Sequence, residues 1–400
     1  LKITQIETII APEHPHLMWV RIHTDEGIVG TGETTPRPTS ARRIIHDTLA
    51  GMLLGRNPLD IEALWHEMFQ AVNYHGYAGS EMRAISAVDI ALWDILGKAS
   101  NQPVYRLLGG RSRDAIPLYN TCVTHGMFTD RERFLEQPGR LASELLNDGF
   151  QGMKIWPFDE ISVKSRGQSI SLGDLEFGVH IIREIREAVA GEMEIALEGH
   201  ACWNLPSAIR IARAVEPYNL MWLEDMIPAD NTGALKQLRD STSTPLCVSE
   251  RLFTRHQFLP VMEQRAADII MPDICWAGGI SELMKIGTLA SAYQLPVAPH
   301  NCGGPVQTAA YAHACTTLPN LMILESVRSF YHSYYEQLVD RIPRIEQGCL
   351  LVEDLPGLGI CLSERLLQRT DLSREVSEGE PGGTPWTSGD PWKDDLGNQF

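Results

Sequence analysis

The sequence predicts an α/β protein: a β/α barrel preceded by a separate α+β region. Three observations predict it. From about residue 116, short apolar runs alternate with amphipathic helical stretches, the pattern of a parallel sheet with helical crossovers. Eight such runs fall within roughly 210 residues, which fits a (β/α)8 barrel. The residues before about 110 have a different rhythm, strands first and helices after.

Two strand-like stretches open the chain, Ile3–Ile10 and residues 18–23, and Asp25-Glu26-Gly27 reads as the hairpin turn that follows. Helical spacing then takes over. Ile44, Leu49, Leu53 and Leu54 recur on one face, as do Ile61, Leu64, Trp65, Met68 and Phe69. Asn57-Pro58-Leu59-Asp60 separates the two groups as a turn and cap. The barrel strands are expected at residues 116–123, 152–158, 194–198, 220–224, 246–249, 268–272, 296–298 and 321–325. An open doubly wound sheet is disfavoured, because no Gly-rich phosphate loop follows the first strand. Residues 375–392 are rich in Gly, Pro, Ser and acids. They read either as a surface tail or, given Trp386 and Trp392, as a segment packed across the N-terminal region.

Composition narrows the function classes. The chain has 400 residues, 44% of them apolar, enough for a large core. No apolar run reaches the roughly 18 residues of a membrane span. The start, Leu1-Lys2-Ile3-Thr4, lacks a basic region followed by an apolar core, so no signal peptide is expected. The formal net charge of −17 argues against a nucleic-acid partner. It does not argue against an anionic substrate, since a bound metal reverses the field inside one pocket. The eight Cys are scattered without a CxxC pair, which suits reduced thiols in a cytoplasm.

The ends of the expected strands carry the chemistry. Strand three ends at Glu198, strand four at Glu224 and strand five at Glu250, 26 residues apart each time. In a barrel, strand C-termini face one mouth, where active sites sit. Three converging carboxylates repel one another unless a cation sits between them. A hard divalent ion is the natural solution, and Mg²⁺ is favoured because it takes few carboxylates and keeps positions open. Asp273 and His300 end strands six and seven, 27 residues apart. An Asp beside a His fixes its tautomer and raises its basicity, so the pair is a general-base candidate. Glu325, ending strand eight, is a further carboxyl at that mouth. His200 lies two residues past Glu198, and period-two alternation puts both on the inward side. It is a candidate acid on the face opposite His300, or a core histidine. Lys154, ending strand two, is either a catalytic group or a core lysine paired with a carboxylate.

Residues 84–98, Ala-Ile-Ser-Ala-Val-Asp-Ile-Ala-Leu-Trp-Asp-Ile-Leu-Gly-Lys, resemble the N-terminal signature of the mandelate racemase/muconate lactonizing group of the enolase superfamily. Residues 195–225, with Glu198, His200, Ala208 and Leu223-Glu224-Asp225, resemble its second signature in spacing. They depart from it at Glu198, where the family usually has Asp, and at Met226, where Pro is usual. The resemblance runs from residue 1 to about 365. It implies a modified (β/α)7β TIM-like barrel under an N-terminal α+β capping domain. The expected division is 1–112 for the cap, 113–345 for the barrel, and 346–400 for a C-terminal segment that packs back on the cap. It also implies that a base removes the proton α to a carboxylate while Mg²⁺ stabilises the enediolate. The pairing of a Lys or His base with Mg²⁺ is the established chemistry of that superfamily, and it reaches this chain through the resemblance alone. Carried over by position, Glu198, Glu224 and Glu250 are metal ligands. Asp273–His300 is the base dyad, and Glu325 hydrogen-bonds the developing enolate.

Racemases of the group place a second base in a Lys-x-Lys motif on strand two; here its second position is Trp156. Cycloisomerases use a strand-six lysine where this chain has Asp273. Glu198-x-His200 with Asp273–His300 instead resembles the galactonate dehydratase-like acid-sugar dehydratases, enzymes of carbohydrate acid catabolism. In such an enzyme His300 takes the α proton, His200 protonates the departing β-hydroxyl, and the product is a 2-keto-3-deoxy sugar acid. The alternatives are an epimerase or racemase of a related acid, and a weakly active sugar-acid-binding member. Residues 13–18, 73–79 and 157–172 are candidate substrate-facing loops, with Arg166 in the last as a candidate carboxylate partner or a plain surface residue. The expected partner is a small-molecule sugar acid, with neither nucleic acid nor membrane; a homo-oligomer is expected by analogy.

Overall fold

The structure is a computed structural model and describes residues 1–379. The expectation for Trp386 and Trp392 lies outside the described residues. The chain opens with an antiparallel meander, β1 (Ile3–Ile10), β2 (Met18–Thr24) and β3 (Val29–Thr34). Gly27 makes the β2–β3 turn at φ 76, a left-handed conformation that favours glycine. Helices follow. Ile61–Asn73 buries Ile61, Leu64, Trp65 and Met68, the stripe expected from helical spacing. Ser80–Ala99 lies directly on β3. That approach needs Gly30 and Gly32, because a Cβ there would stand 2.1 Å from the Ala91 carbonyl oxygen and 1.9 Å from that of Ala87.

The barrel starts at β4 (Ile116–Thr121). A small hairpin, β5 (Thr124–His125) and β6 (Phe128–Thr129), rises after it. β7 (Gly152–Ile155), β8 (Glu194–Glu198), β9 (Trp222–Glu224), β10 (Leu246–Val248) and β11 (Ile269–Ile270) then add in parallel order. The strand expected at 296–298 is reduced to single bridges: Val297 pairs with Ile270 on one side and Leu321 on the other. β12 (Leu324–Ser326) pairs with β4 and closes the ring. Pro296 and Pro299 flank Val297 and Ala298 and remove two ladder donors, which explains the short seventh position. Beyond the barrel, β13 (Arg344–Glu346) and β14 (Cys349–Leu351) form a hairpin whose second arm pairs with the start of β4. The chain then returns to the cap, where β15 (Ser373–Glu378) pairs antiparallel with β1 and completes the sheet β15-β1-β2-β3.

Period-two alternation explains the barrel interior. Tyr119, Ala196, Trp222, Cys247 and Ala298 form a buried layer inside the ring. Two residues further along each strand stand Thr121, Glu198, Glu224, Ser249 and His300. An apolar plug therefore lies directly beneath a polar layer at the C-terminal mouth, the end where barrels of this kind carry active sites.

The cap is tied to the barrel through helix Ser80–Ala99. Asp89 accepts from the Ser281 backbone N–H at 3.0 Å and its hydroxyl at 2.5 Å. The Ser86 hydroxyl accepts from Gly278 N–H at 2.9 Å, and the Trp65 indole donates to the Gly278 carbonyl at 2.8 Å. These bonds meet where helix Gly279–Ala292 begins, just after β11. No helix among the described residues is long and apolar enough to cross a membrane. The cysteines are all free thiols.

Glu7 holds the returning strand. It accepts from Arg21 of β2 at 2.8 Å and Arg374 of β15 at 2.6 Å. Burial alone would raise its carboxyl, but His23, Arg374 and Arg21 outweigh it and hold the group at about 2 instead of 4.5. A depressed acid contributes stability above its unfolded pKa and loses it as pH falls through the folded value. Glu7→Gln is therefore expected to lower the thermal midpoint at pH 6–7, with the gap to wild type closing between about pH 4.5 and 2. A pH-independent gap would assign Glu7 no such role.

Candidate active site

The polar layer opens into a cavity of about 630 Å³ between barrel and cap. Lys154, Glu198, Glu250, His200 and His300 line it, together with His16, Arg83, Trp156, Arg251, Trp276 and Cys302.

Lys154 is the centre of the floor. Its side chain is 3% exposed, and its ammonium lies 2.5 Å from Glu224 Oε1, 2.8 Å from Glu325 Oε1 and 3.3 Å from Glu198 Oε2. Burial opposes its charge, yet Glu224 and Glu325 outweigh burial and its pKa stands well above 10.5. Lys154 thus pairs carboxylates, as one of the two readings open from sequence has it, and it also lies in the cavity wall. Glu325 is held at about 2: burial would raise it, but Lys154 and His300 outweigh that. It also accepts from the Thr121 hydroxyl and, at 2.8 Å, from Asn301 N–H.

Two of the three expected ligands, Glu198 and Glu224, end strands, and the third, Glu250, follows one. Glu198 and Glu224 are register partners across β8 and β9. Glu224 pairs in turn with Cys247, and Glu250 follows the end of β10, three residues past Cys247. Glu250 sits beside Arg251, 3.5 Å away, and Asp225 joins this group through Ser249 Oγ at 2.5 Å and Arg251 Nε at 3.2 Å. Burial raises the carboxyls of Glu198, Glu224 and Asp225. Burial alone would raise Glu250 as well, but the positive charge of His300, Arg251 and Lys154 brings it below 4.5. Among the described residues, the only His/Cys/Asp/Glu trio with ligand atoms all within 4.8 Å is His300, Cys302 and Glu325.

The Asp273–His300 pair forms as the spacing suggests. His300 Nδ1 lies 2.7 Å from Asp273 Oδ2, and the two residues bridge as strand partners. Gln307 donates to both Asp273 oxygens, at 3.2 and 3.1 Å, and Cys275 N–H donates at 2.7 Å. Nδ1 is thereby committed to Asp273, and Nε2 is the ring nitrogen left toward the cavity, 3.7 Å from Glu325 Oε2. Burial opposes the imidazolium, but Glu325, Cys302 and Asp273 outweigh it and the pKa stands well above 6.5. Burial and the Glu325 charge push the Cys302 thiol up to about 11.

His200 reaches the cavity by a different route from the one alternation suggests. β8 ends at Glu198, and His200 and Ala201 adopt left-handed backbones, φ 44 and 56. The turn lifts His200 to the rim, where its side chain is 42% exposed. Its N–H donates to Glu198 Oε1 at 2.7 Å, and its ring Nδ1 lies 2.5 Å from Asp159 Oδ2. Trp156 packs edge-on against its ring at 5.8 Å. Of the three candidate loops, the first supplies His16 to the cavity and the third supplies Asp159 through His200. None of residues 73–79 lines the cavity; Arg83, just beyond them, does, stacked over Trp276 at 4.5 Å. Arg166 is exposed and lines none of it. Asp225, Asp159, Arg83 and Trp276 were not singled out from sequence. Asp225 was legible as the acid beside Glu224; the others depend on which cap and loop surfaces meet the mouth.

Two family models match the chain: "Enolase C-terminal domain-like" over residues 138–366 and "Mandelate racemase / muconate lactonizing enzyme, N-terminal domain" over residues 8–109. The chain is 32% identical to a D-xylonate dehydratase of Haloferax volcanii, over 90% of this chain and 87% of that protein. It is 31% identical to a D-galactonate dehydratase of Pectobacterium atrosepticum, over 92% and 94%. Among solved structures, it is similar to an enolase of the mandelate racemase subgroup from Agrobacterium tumefaciens. The TM-score is 0.88 at 41% identity, covering 95% of this chain and 99% of that one.

Lys154→Met leaves Glu198, Glu224 and Glu325 buried without their shared cation. Removing one partner of a buried ion cluster costs about 3–5 kcal/mol. The metal-free variant is expected to unfold at lower denaturant than wild type, with a deficit that narrows at acid pH as the carboxyls take up protons. Equal midpoints in chelator at neutral pH would show that Lys154 does not hold the floor together.

Proposed function

The chain belongs to the mandelate racemase/muconate lactonizing group of the enolase superfamily, and on that premise we propose that it is a Mg²⁺-dependent hydro-lyase acting on a sugar acid. The reaction removes the proton α to the carboxylate and expels the β-hydroxyl, and the enol product tautomerises to a 2-keto-3-deoxy acid. The observation that carries this reading is the pair of carboxylate-backed histidines. His300 follows the seventh barrel position and His200 the third, so they stand on opposite walls of an eight-membered ring.

His300 acts as the base through Nε2, with Asp273 holding the ring and balancing the charge it gains. Its raised pKa makes the neutral form strongly basic and confines that form to the alkaline side. His200 is the acid for the leaving hydroxyl, its ring held by Asp159 at the rim. Lys154, its ammonium shared among Glu198, Glu224 and Glu325, supplies positive charge at the floor, beneath the charge that develops on the substrate carboxylate. Glu325, ionised here, positions Lys154 and the Asn301 N–H; to donate to the enolate it takes up a proton first. Trp156 closes the wall where a racemase of this group needs a second lysine.

The acid cluster fits a hard divalent cation on chemistry and charge. Glu198, Glu224, Asp225, Glu250 and Glu325 face two firm cations, Lys154 and Arg251. Glu250 Oε2 and Asp225 Oδ1 are buried without a hydrogen-bond partner. Glu198, Glu224 and Glu250 would hold the ion, which competes with Lys154 for the first two. Bound Mg²⁺ supplies fixed positive charge where the substrate carboxylate gains negative charge. Glu198 is longer by one methylene than the family's usual Asp, and its Oε1 is already committed to His200 N–H. The acid residue and the metal ligand are therefore joined through one backbone bond.

A panel of aldonic and aldaric acids assayed for 2-keto acid formation with Mg²⁺ is expected to yield at least one substrate; none across the panel would sink the proposal. His300→Asn is expected to lower α-proton exchange in deuterated water by about 10²–10⁴-fold. In wild type that exchange should rise with pH above 6.5. Exchange retained in the variant would remove His300 as the base. His200→Asn is expected to keep exchange while losing keto-acid formation, and equal loss of both would deny it the acid role. Glu224→Gln is expected to weaken Mg²⁺ binding strongly in calorimetric titration; unchanged affinity would move the metal elsewhere.

A further inference from the structure

We infer that the cavity wall carries a second metal site of different character: His300, Cys302 and Glu325 form a zinc-selective trap that silences the enzyme by occupying its base. The trio offers an imidazole nitrogen, a thiol sulfur and a carboxylate oxygen, all within 4.8 Å of one another. The His300 Nε2 to Glu325 Oε2 separation is 3.7 Å. Tetrahedral zinc with nitrogen, oxygen and sulfur ligands spaces its donors about 3.3–3.8 Å apart. The surroundings are those of a supported metal ligand. Asp273 holds the far ring nitrogen of His300, an arrangement that fixes the tautomer and strengthens the other nitrogen as a donor. Glu325 is fixed by Lys154 and Asn301 N–H. Cys302 is partly exposed and lines the cavity, so a metal ion reaches it from the substrate side.

The donor set separates this trio from the acid cluster. Three carboxylates suit a hard cation, whereas imidazole with a thiol selects a softer one and disfavours Mg²⁺. On ligation the Cys302 thiol and the His300 ring give up protons to solvent; no electrons are transferred. The fourth position is left to water. With its Nε2 lone pair on zinc, His300 cannot accept an α proton. The silencing therefore rests on the proposed role of His300 as base, while the metal binding itself does not.

The test uses full-length protein freed of metal by chelator and then held in excess Mg²⁺. Co²⁺, a spectroscopic substitute for zinc, is titrated in, followed by Zn²⁺. The expected result is one equivalent of Co²⁺ with a thiolate-to-cobalt charge-transfer band, displaced by Zn²⁺ and not by added Mg²⁺. Cys302→Ser and Cys302→Ala should each lose the band. Each should also weaken Zn²⁺ by at least the roughly 10–100-fold that loss of an outer-shell partner costs. Cys202→Ser, altering a thiol near His200, should keep the band. Absence of the band in wild type, its persistence in both Cys302 variants, or displacement of Zn²⁺ by Mg²⁺ would overturn the site. Turnover is scored separately. Uninhibited dehydration with one zinc bound would overturn the silencing. Absence of any sugar-acid turnover beside an intact band would instead count against the proposed activity and leave the metal site standing.

Discussion

One buried ammonium organises the mouth of this barrel. Lys154 rises from β7 into the space where β8, β9 and β12 present Glu198, Glu224 and Glu325. Carboxylates at that density would otherwise have to neutralise or separate. Held by one cation, they remain close, and everything above them inherits their positions. Glu325 sets the charge that His300 feels. Glu198 anchors the turn that carries His200. Glu224 is braced from below by the Trp222 indole at 2.8 Å, so the apolar plug orients the polar layer directly.

The second organising feature is the contact of cap with barrel. The signature helix Ser80–Ala99 spends its polar residues on structure: Ser86 and Asp89 fasten the start of helix Gly279–Ala292. Asp94 accepts from the backbone N–H groups of Thr31 and Leu358. Fixing the helix in this way delivers Arg83, near its first turn, to the cavity beside Trp276. The signature stretch is thus a mounting bracket, and the helix that carries it contributes one arginine to the cavity wall.

Much of this was legible in the sequence because the strand ends repeat at a nearly constant interval. β8 runs over the residues expected of it, Glu194–Glu198, and the ring closes as an eight-membered barrel, though its seventh member is only a bridge between two prolines. The Asp273–His300 contact could be read because both residues end adjacent strands at one height. Where spacing misled, the cause was local backbone. Alternation fails once a strand stops, which is why His200 arrives through a left-handed turn. Asp159, Arg83 and Trp276 carry no spacing signal, since tertiary packing of distant segments brings them to the mouth.

Glu33 is the penultimate residue of the cap's third strand, yet its side chain reaches the barrel. Its buried carboxylate accepts from the Trp19 indole and from the N–H groups of Gly304, Val306 and Gln307, at the start of helix Pro305–Thr317. That same helix supplies Gln307 to Asp273, and Tyr311 whose hydroxyl donates to the His300 carbonyl at 2.6 Å. The two halves of the molecule are therefore not interchangeable parts. A chimera given a relative's cap takes that cap's share of the cavity wall, yet it also replaces the acceptor that seats the helix behind the histidine. Exchanging caps without loss of that helix's seat requires an acceptor equivalent to Glu33 in the incoming cap.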